Sequence, residues 1–129
     1  MKFAIQVLVL TCTLFFLGCG MSSTPAQVFK EYHQFLEKDD ISGAKNLMSQ
    51  AARETEEQEG VSGALKLHLE KDFMPSKLGS IKTSIKVTTA TLSVQSDDPD
   101  FKGVQGHVIM KKEEGRWKVD SVTWDKNEK

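Results

Sequence analysis

The chain has 129 residues, with 17 Lys and Arg against 18 Asp and Glu and a formal net charge of −1. Its charges are mixed along its length with no basic stripe, which argues against a nucleic-acid partner. The size suits a single domain with one core, and no internal repeat is present.

The N-terminus reads as an export signal. Met1 and Lys2 precede the apolar run "FAIQVLVLTCTLFFL", which is broken by Gln6, Thr11 and Thr13 and stops at Gly18. A membrane-spanning helix needs roughly 20 apolar residues, so this shorter run fits a cleaved signal better than a permanent span. Phe16-Leu17-Gly18-Cys19 then resembles the lipobox of bacterial lipoproteins, although Leu is commoner where Phe16 stands and a small residue is commoner than Leu17. That resemblance implies cleavage between Gly18 and Cys19 and acylation of the Cys19 thiol by diacylglycerol. Each buried methylene contributes about 0.8 kcal/mol, so two or more chains would hold the protein firmly on a membrane.

The alternative is cleavage after Gly20, because Gly18-Cys19-Gly20 also has the small-any-small spacing of an ordinary signal. Cleavage before Cys19 leaves 111 residues with 16 cations against 18 anions. Cys12 is lost with the leader, so Cys19 has no disulfide partner, and acylation would remove an otherwise free thiol from an oxidising compartment. Residues 19–23 would form the lipidated tether. Gly20 lacks the acidic character associated with inner-membrane retention in many Gram-negative lipoproteins, which directs the expectation to the outer membrane, facing the periplasm.

Thr24-Pro25-Ala26-Gln27 opens a first helix, with Thr24 as cap, Pro25 at the first helical position and Gln27 as capping-box partner. Val28, Phe29, Tyr32, Phe35 and Leu36 form its apolar face. Asp39 or Asp40 caps a second helix through "ISGAKNLMSQAA", with Ile41, Ala44, Leu47, Met48 and Ala51 inward. Beyond the acidic "RETEEQEG", Val61, Ala64, Leu65, His68 and Leu69 suggest a third helix that Pro75 ends shortly after Asp72, although Leu65, Leu67 and Leu69 also alternate.

From Leu78 the period changes to two. Ile81, Thr83, Ile85 and Val87 form one run, Ala90, Leu92 and Val94 a second, and Val104, Gly106, Val108 and Met110 a third. "DDPD" makes a loop, and Glu113-Glu114-Gly115 makes a hairpin turn with Gly115 at positive φ. In the last strand Trp117 and Val119 share one face while Val122 and Trp124 share the other, which predicts a bulge or bend near Asp120–Ser121. Helices followed by antiparallel strands imply an α+β domain over residues 24–124, its helices on one face of a curved sheet, with 125–129 as a charged tail.

"TPAQVFKEYHQFLEKDDISGAKNLMS" together with "GHVIMKKEEGRWKVDSVTW" resembles the small nuclear transport factor 2-like domains of bacterial lipoproteins. Gly115, Trp117, Lys118, Val119 and Asp120 match their Gly-x-Trp-Lys-hydrophobic-Asp ending. The resemblance implies a cone whose sheet wraps a helix around an apolar pocket, and a sheet surface that often pairs two copies into a homodimer. Relatives include enzymes such as ketosteroid isomerase and scytalone dehydratase as well as ligand- or protein-binding members, so fold alone does not choose.

Phe29, Tyr32, His68, Asp72, Trp117 and Trp124 are the candidate pocket residues, and each has a plain core or surface alternative. Tyr32 and His33 point about 100° apart on the helix, so His33 is expected to be exposed. His68 can pair with Asp72 at i, i+4 as a partly buried structural histidine. His107 is expected on the outer face of its strand. Three separated histidines without a Cys pair or His-Glu-x-x-His form no metal site, and no cofactor is expected. "SDDPDFKG" lacks the ligand alternation and terminal Glu of a calcium loop and is expected to be a solvated turn, and "ETEEQE" is expected to be a solvated helix end. With no nucleophile, metal or paired acid-base motif, the functional expectation is a non-enzymatic, lipid-anchored envelope module that binds a small apolar ligand or a partner protein. The alternative is an envelope enzyme of the isomerase or dehydratase type, using a His/Asp/Tyr pocket.

Overall fold

The structure, a computed structural model, describes residues 23–58 and 73–126. The leader with Gly18 and Cys19, and the expected third helix with His68 and Asp72, lie outside the described residues. Helix α1 (Pro25–Glu37) begins with the expected capping box. Thr24 Oγ1 accepts from Gln27 N at 3.2 Å, and Gln27 Oε1 accepts from Thr24 N at 3.0 Å. After a turn in which Asp39 takes a φ of 58°, Asp40 caps α2 (Ile41–Asn46) by accepting from Gly43 N at 3.0 Å.

The second helix is not continuous. It breaks at Leu47–Ser49 and resumes as α3 (Gln50–Gln58). Ser49 N donates to Val119 O at 2.8 Å and Val119 N to Leu47 O at 2.7 Å, so a distant strand captures backbone groups that a helix would have used. Ser49 Oγ then accepts from Ala52 N at 3.1 Å and caps the new helix. Ala44 and Met48 are buried as expected, but the break turns Ala51 outward.

Strands β1 (Leu78–Ile85), β2 (Thr89–Ser96), β3 (Val104–Glu113) and β4 (Arg116–Lys126) form one antiparallel sheet in sequence order. The fold is therefore α+β. Its core joins Val28, Phe29, Tyr32 and Leu36 of α1 to Leu92, Val94, Val108, Met110 and Val119 of the sheet. The β3–β4 turn places Glu114 at φ 50° and Gly115 at φ 76°, as a two-residue hairpin with right-handed strand twist requires. Met110 pairs with Val119 but Ile109 pairs with Ser121, so Asp120 is the extra residue of a bulge. That bulge lets Trp117, Val119, Val122 and Trp124 all pack inward.

Three expectations change. Ile85 ends β1 as a strand residue but is 60% exposed, whereas Val87, expected in the same strand, lies beyond it, 91% exposed in the turn closed by Lys86 N on Thr89 O. Strand β4 continues to Lys126, so Asp125 belongs to the sheet rather than to a tail. The "DDPD" loop is built around a buried Asp98, whose side chain accepts from Ser76 N at 2.9 Å, Ser76 Oγ at 2.7 Å and Asp100 N at 3.0 Å. No helix among the described residues is long and apolar enough to cross a membrane.

Candidate functional site

The bulge in β4 opens a cleft of about 300 Å³ against α3. Its apolar lining comes from Tyr32, Met48, Ala51, Ala52, Val119 and Val122, and its polar lining from Thr55, Lys111, Asp120 and Ser121. Asp120 links three elements. Its Oδ1 accepts from Ser49 Oγ at 2.6 Å and its Oδ2 lies 3.4 Å from Lys111 Nζ, while Ser49 also caps α3. The carboxylate side chain is 19% exposed and the Lys111 side chain 45% exposed, so the anion is sunk into the bulge and the cation lies at the opening.

Tyr32 and Val122 separate this cleft from a second cavity of about 20 Å³, room for roughly one water molecule. Among the described residues, Phe29, His33, Leu36, Met74 and Trp124 form the rest of its walls. The aromatic centroids stand 6.2 Å apart for Phe29 and Tyr32 and 6.5 Å for Phe29 and Trp124, tilted contacts of the kind aromatic rings favour. Trp124 reaches this position because Gly106, opposite it on β3, has no side chain.

His33 is buried, contrary to expectation. Its side chain is 4% exposed, and its ring lies 6.2 Å from Phe29 and 6.3 Å from Trp124. Helix α1 is covered on two sides, so Tyr32 and His33 are both enclosed despite pointing in different directions. Burial lowers the His33 pKa from its ordinary 6.5, partly opposed by the nearby Glu37 carboxylate.

Of the candidate pocket residues, Phe29, Tyr32 and Trp124 come together. Trp117 is buried at the other end of β4, beneath Lys112 Nζ at 5.6 Å, and lines neither cavity. His68 and Asp72 fall outside the described residues. His107 is on the outer face, 3.8 Å from Asp125 Oδ2. Among the described residues no three His, Cys, Asp or Glu side chains gather as metal ligands. Sequence reasoning did not select Ser49, Lys111 or Asp120 as site residues. The change of face between Val119 and Val122 was the available signal, since it located the bulge that carries Asp120.

No protein-family model matches the chain, and no curated protein matches it.

Proposed function

We propose that this chain is a lipid-anchored protein of the bacterial cell envelope, held through Cys19, whose nuclear transport factor 2-like cone binds a small molecule with an apolar body in the cleft beside Asp120. The lipobox-like Phe16-Leu17-Gly18-Cys19 supports the anchor. The observation that carries the binding reading is the pairing of the cleft's charges. Asp120 already receives Ser49 Oγ and faces Lys111, so these groups brace the opening around an apolar wall instead of standing ready for proton transfer. The cleft offers apolar and polar lining in nearly equal parts, which suits a ligand with an apolar body and a polar end.

A fluorescence titration with N-phenyl-1-naphthylamine tests the cleft. Wild type should enhance the probe's emission, and Ala52→Trp, which places an indole in the cleft, should remove most of the enhancement. Equal enhancement by both proteins would contradict the assignment.

A further inference from the structure

His33 lies where three segments meet. Among the described residues, Phe29 shares its helix, Trp124 approaches from β4, and Met74 lies against it from the segment before β1. Neither ring nitrogen makes a hydrogen bond among the described residues, although Glu37 Oε1 lies 3.2 Å from Nε2 without hydrogen-bond alignment. A buried polar group without such a partner is costly, and adding a charge to it raises the cost.

Met74 divides two spaces. On its inner side is the 20 Å³ cavity containing the His33 edge; on its outer side is a surface hollow of about 250 Å³ bordered by Glu37, Pro75 and Ser76. Its unbranched thioether is the adaptable part of that wall. Among the described residues, the charged groups around His33 are few. Glu37 faces it from α1; behind the Met74–Ser76 segment, Asp98 is occupied by Ser76; on β4, Asp125 is directed to His107 across the sheet. The Pro75 and Ser76 backbones also lie near the imidazole and favour its protonated form.

We propose that His33 and Met74 form a proton-operated gate: when His33 takes up a proton, Met74 swings outward and joins the inner cavity to the outer hollow. Water entering there solvates the imidazolium, and the joined space becomes an aromatic-walled pocket. Because burial holds the His33 pKa down, the gate is closed at neutral pH and opens only below the ordinary histidine range.

NMR of the whole chain, with ¹³C-methyl methionine and observation of the histidine ring protons, tests this. Met74→Leu assigns the Met74 methyl, and His33→Leu assigns the His33 ring. Between about pH 7.5 and pH 4.5, the Met74 methyl should shift with the same midpoint as the His33 ring, below the usual histidine value. The methyl should stay still in His33→Leu, and Glu37→Gln should move the midpoint lower by removing the nearest anion. His33→Gln serves if the leucine variant does not fold. The gate is refuted if Met74 moves equally without His33, if His33 titrates while Met74 stays still, or if His33 titrates at its ordinary value.

Discussion

Trp124 lies across Gly106 so closely that a β-carbon on the glycine would stand 2.6 Å from Trp124 Cζ3. The two residues pair across β3 and β4, and the missing side chain of one is the space occupied by the other. Gly106→Ala should therefore displace the indole and destabilise the fold by about 1–3 kcal/mol in urea unfolding. A change within about 0.5 kcal/mol would mean that Trp124 repacks freely, and the aromatic cavity would lose its fixed wall.

Ser49 holds two groups at once, the Asp120 carboxylate and the Ala52 amide. Ser49→Ala should cost about 1–2 kcal/mol, because it removes a helix cap and a donor to a part-buried carboxylate. It should also weaken naphthylamine binding, since the bulge loses its tie to α3. Unchanged stability with unchanged binding would show that the bulge holds the cleft open without Ser49.

Trp117 is 8% exposed and packs at the end of β4 away from both cavities. Trp117→Ala should destabilise by about 3–5 kcal/mol in the same assay. A loss below about 1 kcal/mol would place this residue on the surface.

Among the described residues, two groups shape the acid side of the stability profile. His33 has a lowered folded pKa, so the unfolded chain binds its proton first; stability should begin to fall as pH drops below 6.5 and stop falling on this account below the folded pKa. Asp98 is held below its ordinary 3.8, chiefly by the Ser76 hydroxyl and amide, so its contribution is present above that value and is lost as pH falls through the lower folded pKa. Urea unfolding across pH should show His33→Leu flattening the upper part of the decline and Asp98→Asn flattening the lower part. Profiles parallel to wild type would contradict these assignments.

Local chemistry explains which features could be read in advance. The Thr24–Gln27 capping box and the Glu114–Gly115 turn depend on residues three or fewer positions apart, and both are present. The bulge at Asp120 was legible because burying Trp117 and Trp124 on one side demands a change of phase. The broken helix at Leu47–Ser49 was not, since Val119, 70 positions beyond Ser49, supplies the competing backbone bonds. His33 was misread for a similar reason: Trp124 and Met74, which enclose it, are distant in the chain. The contact of Lys111 with Asp120, and of both with the Ser49 side of the cleft, likewise arises from strand register and that backbone capture.

The proposed anchor would determine where the cleft works, and it would rest on one bond next to Cys19. Cells grown with radiolabelled palmitate should incorporate label into the wild-type protein and not into Cys19→Ser. Unlabelled wild-type protein beginning at Met21 would contradict the account and release the domain from the membrane.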